Sequence, residues 1–235
     1  MTGKFYGIGV GPGAIDLLTV RAANILKTVD VVCVPRSSAE KSSVALSVAK
    51  SYIGQAEIME IATPMTRDAA ILDASWQTGA VVLAERLIKG QNVAFITIGD
   101  SMLYSTYTYL MKKVQALVPE VEIVSVPGIT SYSASAAHLN LPLAEGNEKL
   151  VVIPALDDPQ DLKAILALFP NVILMKVASQ LPGIVEVLAE LGLLDKAIYI
   201  SKLGYPDQFI TRDLRSLQQK KLDYLSLIIV KQEGF

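Results

Sequence analysis

The chain has 235 residues, of which 51% are apolar and only 19% are charged, and its formal net charge is −2. This composition argues against a disordered chain, and the lack of a basic run argues against nucleic-acid binding. A single cysteine excludes an internal disulfide, and one cysteine with one histidine cannot form the usual structural zinc site. A magnesium site built only of carboxylates stays open, but no tight acidic cluster indicates one, so we expect no protein-bound metal.

Short segments rich in Val and Ile alternate with longer helical segments along the first half of the chain. Turn residues bound the short segments, which are therefore predicted as strands at residues 4–9, 29–34, 56–60, 92–97 and 121–126. Thr19 is predicted to cap the helix that follows it, and Thr66 to cap a long helix that runs to Ile88. Two further helices are predicted at residues 42–52 and 106–117.

The second half shows the same alternation. Strands are predicted at residues 149–153, 172–175, 197–201 and 224–230, and helices at 130–139, 158–168 and 181–191. Alternating strands and helices predict an α/β fold with mainly parallel or mixed sheets. Because four strands follow the segment VPGITSYSAS, we predict an N-terminal α/β domain at 1–125 and a C-terminal α/β domain at 126–235.

The sequence shows neither a typical signal peptide nor a typical membrane span. The N-terminus lacks the basic, apolar and small-residue regions of a signal peptide. The longest uncharged stretch, residues 123–144, contains two prolines, a histidine and many serines, which is not typical of a membrane span. We therefore expect a cytoplasmic protein.

A glycine-rich segment, Gly7–Gly13, follows the first predicted strand directly. Glycines let the backbone turn sharply and approach a ligand closely, so the segment indicates either a nucleotide-type cofactor site or only a tight turn. Gly9, Gly11 and Ala14 also match part of a dinucleotide-binding motif. That motif opens a helix, whereas the next helix here begins at about Thr19, and no acid that could hold a ribose ends the second strand. An NAD(P)-dependent oxidoreductase is therefore a weaker alternative.

Two later segments also follow predicted strands. In residues 99–106 the carboxylate of Asp100 could hold hydroxyl or amino groups of a ligand, or Asp100 or Ser105 could simply cap the next helix. In residues 126–131 the hydroxyl of Thr130 is predicted either to cap a helix or to contact a ligand. Both segments therefore remain open between a structural and a binding role.

The remaining segments point to packing when they are taken singly. Met175 in LMKV and Cys33 in its Val-rich strand are predicted to fill the core, and His138 lies in a small-residue helix that favours a packed or surface role. Residues 202–208 are predicted as a loop. Phosphate-loop, zinc-protease and serine-hydrolase motifs are absent from the sequence.

Taken together and in this order, these segments resemble the tetrapyrrole methylase family over essentially the whole chain. The resemblance is carried by GIGVGPG, DLLTVRAANIL, GDSMLYSTYTYL, VPGITSYSASAA, LNLPLAEGNEKL and LMKV. Within the family, the chain is most similar to the members that methylate carbon 20 of precorrin-2 or cobalt-factor II, through NVAFITIGDSMLYSTYTYL, AEGNEKLVVIPA and YLSLIIVK.

The resemblance implies two α/β domains with S-adenosylmethionine in the cleft between them, and a homodimer. The cofactor-binding residues that it implies are Pro12 at the edge of the ligand, Gly99, Asp100 and Leu103 at its amino-acid portion and ribose, Thr130 and Ser131 at the same ligand, and Met175 and Gly204 beside its adenine. The chain departs from the family pattern at Ser101, where members usually have proline. This departure predicts that the loop at residues 99–106 is less rigid here.

The implied activity is methyl transfer to carbon 20 of the macrocycle in cobalamin biosynthesis, with any cobalt arriving inside the substrate. The sequence identifies no catalytic base. Arg36 and Lys176 are candidates to pair with carboxylates of the substrate, and ordinary surface charge is the alternative for both. Three other functions stay open: methylation at another macrocycle carbon, the NAD(P)-dependent oxidoreductase, and a non-catalytic protein that binds tetrapyrrole.

Overall fold

A computed structural model describes residues 1–36, 43–154, 156–217 and 220–235. The chain folds into two compact units, Met1–Thr130 and Ser131–Phe235. Within the described residues each unit is built on a five-stranded sheet with helices, one sheet parallel and the other mixed. The predicted α/β class is therefore confirmed.

The first unit contains an all-parallel sheet. Its strands are β1 (Lys4–Gly9), β2 (Val31–Arg36), β3 (Glu57–Ala62), β4 (Val93–Thr97) and β5 (Glu122–Val126), and their spatial order is β3-β2-β4-β1-β5. Its α-helices are α1 (Val20–Leu26), α2 (Val44–Ala49), α3 (Ala69–Ile88) and α4 (Tyr107–Leu117). A predicted helix at 42–52 is realised as α2 and a short 3₁₀ turn, Lys50–Tyr52, and its predicted first residue, Ser42, lies outside the described residues.

Helices cover both faces of this sheet. On one face, Ile8 and Ile96 pack with Ala22 and Leu26 of α1 and Val48 of α2. The opposite face joins Phe5, Cys33 and Phe95 to α3 and α4 through Leu83 and Leu110. Burial on both faces explains why the strands read as continuous apolar runs, and burial raises the pKa of the Cys33 thiol, which keeps it protonated and unreactive.

One of the two predicted helix caps is confirmed and the other is wrong. The Thr19 hydroxyl accepts a hydrogen bond from the Ala22 amide at 3.2 Å, as predicted for the start of α1. Helix α3 is instead capped by Asp68, whose carboxylate accepts from the amides of Ala70 and Ile71. Thr66 lies too far before the first turn, and its hydroxyl accepts from the Asp68 amide.

The second unit contains α5 (Ser131–Leu139), β6 (Leu150–Ile153), α6 (Asp161–Leu168), β7 (Asn171–Met175), α7 (Leu181–Glu190), β8 (Ala197–Ser201), β9 (Phe209–Thr211) and β10 (Ser226–Lys231). The sheet order is β6-β7-β10-β8-β9. Strands β6 and β7 are parallel, whereas β10 runs antiparallel to both β7 and β8. The three-residue strand β9 was not predicted, because it is too short to show a period of two.

A buried lysine anchors the segment that leads into β6. Lys231, at the end of β10, is only 4% exposed. Its ammonium donates to the Pro142 carbonyl at 2.8 Å and lies 3.6 Å from a carboxylate oxygen of Glu148. The same Glu148 accepts from the Glu145 amide and from the side-chain amide of Asn171, and these bonds, the first above all, lower the pKa of its carboxyl. The carboxylate of Glu148 therefore holds the AEGNEKL segment against the sheet.

The described residues contain neither a candidate membrane span nor a candidate metal-binding cluster. No helix in these ranges combines the length and the apolar character that crossing a membrane requires. Nor do three or more His, Cys, Asp or Glu side chains in these ranges gather where they could bind a metal ion.

Candidate functional site

The first sheet has a topological switch point between β1 and β4. These strands are adjacent and parallel, but the helix that follows β1 packs on one face of the sheet and the helix that follows β4 packs on the other. The chain therefore leaves the two carboxyl ends in opposite directions, which opens a crevice in parallel α/β sheets where ligands bind. Two of the segments singled out in the sequence, around Gly11 and Asp100, lie at this point.

The backbones of the two loops contact each other directly at the switch point. The Gly99 amide donates to the Gly11 carbonyl at 2.8 Å, and the Gly11 amide donates to the Gly99 carbonyl at 3.2 Å. Both glycines have positive φ, +82° at Gly11 and +74° at Gly99. Residues with a side chain are strained at such φ values, so this arrangement requires glycine at both positions.

A third loop, after β5, packs against the same two. A Cβ added to Gly128 would lie 2.1 Å from the Gly99 carbonyl oxygen, and one added to Gly9 would lie 2.6 Å from that atom. Gly9, Gly99 and Gly128 therefore form a stack of three backbone segments, which we call the glycine stack. Since each neighbour in the stack is backbone, no side chain could move to make room.

Asp100 connects two of these loops through its carboxylate. One oxygen accepts from the Met102 amide at 2.8 Å, and the other accepts from the Gly128 amide at 2.9 Å. Asp100 therefore does not cap α4, whose first turn instead has the Ser105 hydroxyl accepting from the Tyr107 amide at 3.2 Å. Because each carboxylate oxygen has a second lone pair, Asp100 can still accept from a ligand while it holds the loops.

Ser101 links its loop to the neighbouring strand. Its side chain is fully buried, and its hydroxyl donates to the Val126 carbonyl at 2.9 Å. The loop after β4 is therefore fixed to the end of β5 by a side-chain hydrogen bond, where the sequence alone predicted lower rigidity.

Replacing Ser101 with alanine is expected to lower the free energy of unfolding by about 1 kcal/mol, because the buried Val126 carbonyl loses its partner. Urea unfolding of the variant measures this change. Ser51→Ala, at an exposed serine of the same unit, is the control and should have almost no effect. Equal stability of the two variants would contradict a stabilising role for the Ser101 hydroxyl.

The switch point leaves room for a ligand next to its backbone. A Cβ built on Gly99 would have nothing within 4 Å, so this face of the loop is open. Buried Pro12 follows Gly11 directly, and half-buried Leu103 lies on the loop after β4. Arg36 ends β2, which neighbours β4 in the sheet, and its guanidinium pairs with the Glu60 carboxylate.

The other predicted site residues belong to the second unit or to the junction. Met175 ends β7 and Gly204 follows β8. Because both strands run antiparallel to β10, these residues lie at the same end of the sheet, where β7 and β8 have their carboxyl ends. Lys176 follows Met175 with φ +58°, and its ammonium lies 5.6 Å from the centroid of the Tyr224 ring. Thr130 and Ser131 are both half-buried and are consecutive across the division between the units.

The loop that contains Gly204 is fixed by side chains. The Gly204 amide donates to the side-chain oxygen of Gln208 at 2.9 Å, and the Gln208 nitrogen lies 3.0 Å from Nε2 of His138. Lys202 forms ion pairs with Asp207 and Asp223, and the hydrogen bond with Asp207 is the main reason that the pKa of Lys202 is raised. His138 thus has an exposed, structural position.

The geometry gives no support to the dinucleotide alternative. Helix α1 begins at Val20, after a short 3₁₀ turn, rather than at the glycine loop. The Gly11 amide is also engaged with Gly99. A pyrophosphate would therefore meet no helix N-terminus directly after the glycines.

Sequence reasoning did not find Gly128 or Ser101 as parts of this site. Within residues 126–131 the sequence singles out Thr130 and Ser131 but not Gly128, and it marks Ser101 only as a departure from the family pattern. Their roles depend on contacts between loops about 28 positions apart, as in the Asp100–Gly128 bond. The glycine in the VPG sequence after β5 is the one local signal that could have pointed to the stack.

The chain is similar to known proteins in both sequence and structure. The profile of the Tetrapyrrole (Corrin/Porphyrin) Methylases matches residues 4–218. The chain is 36% identical over 236 residues to the cobalt-precorrin-2 C(20)-methyltransferase of Salmonella typhimurium, with 99% of this chain and 98% of that protein covered. It is 37% identical, over an alignment of 237 positions, to the probable cobalt-precorrin-2 C(20)-methyltransferase of Methanocaldococcus jannaschii. That alignment covers 97% of this chain and 96% of that protein.

A solved structure supports the fold independently. The uroporphyrin-III C-methyl transferase from Thermus thermophilus, complexed with S-adenyl homocysteine, has a TM-score of 0.67 to this chain and 19% identity, with 98% of each chain covered. At this identity the likeness shows the fold alone. Because the family profile matches most of the chain and two full-length relatives exceed 30% identity, the chain belongs to the tetrapyrrole methylase family.

Proposed function

We propose that this protein transfers a methyl group from S-adenosylmethionine to carbon 20 of a precorrin-2-type tetrapyrrole in cobalamin biosynthesis. The observation that carries the proposal is the similarity over nearly the full chain to two proteins named as cobalt-precorrin-2 C(20)-methyltransferases. Since both names specify cobalt-precorrin-2, a cobalt-containing macrocycle such as cobalt-factor II is our first choice and metal-free precorrin-2 the second.

The switch point offers hydrogen-bond acceptors that suit the methyl donor. S-adenosylmethionine supplies an already activated methyl group, so the protein needs no strong nucleophile and contributes mainly by orienting the reactants. Asp100 has carboxylate lone pairs for ammonium or hydroxyl donors, and the open face of Gly99 permits close approach to the backbone. We place Pro12 and Leu103 beside them.

We assign the remaining cofactor contacts to Thr130, Ser131, Met175 and Gly204. Their support is the family resemblance, together with the position of Met175 and Gly204 at one end of the sheet of the second unit. Arg36 and Lys176 are the cations that we propose for carboxylates of the substrate. We also propose a homodimer, as the resemblance implies, and a cytoplasmic location, as the sequence predicts.

The test is an anaerobic incubation with S-adenosylmethionine that carries a labelled methyl group. Cobalt-factor II and precorrin-2 are offered in separate reactions, and the products are examined by mass spectrometry and NMR. We expect one labelled methyl at carbon 20, with faster turnover of cobalt-factor II. A labelled methyl at another carbon, or no transfer to either macrocycle, would contradict the proposal.

A further inference from the structure

Tyr104 has a backbone conformation that aromatic residues rarely adopt. Its φ is +50°, and in the described ranges the other non-glycine residues with positive φ are Asn140, Lys176 and Lys202. For a bulky side chain this region is a genuine outlier. Strained positions of this kind persist where the surrounding structure enforces them, and they concentrate at ligand-binding sites.

The loop around Tyr104 is fixed at both ends. Ser101 is fully buried and bonded to Val126, and Ser105 is 5% exposed with its hydroxyl bonded to the Tyr107 amide. Between these anchors the loop exposes two large apolar side chains, Met102 at 52% and Tyr104 at 48%. The Tyr104 ring therefore lies largely outside the core, so packing in the core does not offset the energy of its strained backbone.

The position of this loop indicates what the exposed side chains contact. It follows β4 at the switch point, next to Gly99 and Asp100, where a ligand crevice is expected. A tetrapyrrole is a broad, flat and largely apolar ring system, and aromatic side chains pack against such faces in offset stacks. A flexible thioether beside the ring adapts to the same kind of surface.

We propose that Tyr104, with Met102 beside it, contacts a face of the tetrapyrrole macrocycle, and that the strained backbone is retained because it directs the ring towards the substrate. The proposal rests on the proposed function. It differs from a structural role for Tyr104 because it predicts a selective loss of tetrapyrrole affinity, while the affinity for the methyl donor is retained.

Tyr104→Gly removes the ring and also relieves the backbone strain, so the variant is expected to fold. We expect its KM for cobalt-factor II to rise about tenfold, equivalent to about 1.4 kcal/mol, with the Kd for S-adenosylmethionine changed less than about twofold. Tyr104→Phe retains the ring and is expected to recover most of the lost affinity. Asn140→Gly relieves a similar strain, at φ +50° on an exposed residue, and is the matched control, with an unchanged KM.

The proposal is overturned if Tyr104→Gly leaves the KM for the macrocycle unchanged, or if it weakens S-adenosylmethionine binding by the same factor. It is also overturned if Tyr104→Phe is as impaired as Tyr104→Gly, since the hydroxyl rather than the ring would then matter. If the wild-type protein shows no turnover, the proposed function fails. Binding of cobalt-factor II, followed by its visible absorption, then decides: weaker binding by Tyr104→Gly supports the contact, and equal binding overturns it.

Discussion

Replacing Gly128 with alanine is expected to disrupt the glycine stack and to abolish S-adenosylmethionine binding. The added Cβ would lie 2.1 Å from the carbonyl oxygen of Gly99 and 2.8 Å from the Cα of Gly9. Because both neighbours are backbone, relief requires the loops themselves to separate. We expect the free energy of unfolding to fall by about 3 kcal/mol or more, at the upper end of overpacking effects, as measured by urea unfolding.

Two glycine variants separate this steric effect from backbone strain. Gly99→Ala introduces no contact within 4 Å but has φ +74°, so only the left-handed penalty of about 1–2 kcal/mol applies. Gly146→Ala has φ +53° and open space in the second unit, so it should show the same loss of stability and normal binding of S-adenosylmethionine. If Gly128→Ala is no more destabilised than these two variants, the close packing of the stack is wrong.

The second large effect is expected for Asp100→Ala, which should weaken both the fold and the binding of the methyl donor. The amides of Met102 and Gly128 each lose a charged acceptor. Since Asp100 is only half-buried and water can partly replace it, we expect a loss of about 2 kcal/mol in the free energy of unfolding. We also expect the Kd for S-adenosylmethionine, measured by calorimetry, to rise by about a hundredfold or more, as for the loss of a charged hydrogen bond.

A matched acid elsewhere tests whether the two effects are connected. Asp158 makes the same kind of turn, with its carboxylate accepting from the Gln160 amide at 2.9 Å, and it lies in the second unit. Asp158→Ala should lose some stability and bind S-adenosylmethionine normally. If Asp100→Ala is destabilised but retains its affinity for S-adenosylmethionine, Asp100 only connects the loops and has no role in binding the donor.

The sequence by itself determined most of the secondary structure and the fold class. Strands buried on both faces, such as β1 and β4, produce apolar runs whose length and bounding turn residues are visible locally. The Thr19 cap is likewise local, because its partner is the amide three residues later. The ordered set of glycine and acidic loops after the strands was sufficient to indicate the family, which the comparisons then showed.

Only the tertiary structure decided how these loops form a site. The order β3-β2-β4-β1-β5 places the loop after β4 beside the loop after β1, and no local pattern encodes that order. It also gives Asp100 a partner in Gly128, and Ser101 a partner in Val126, each more than 20 positions away. Strand β9 was not predicted because a three-residue strand depends on pairing with its partner β8. The Thr66 prediction was wrong because two neighbouring cap candidates differ only in their distance from the first helical turn. Local propensity and periodicity therefore specified the elements, whereas contacts between residues distant in sequence specified the site.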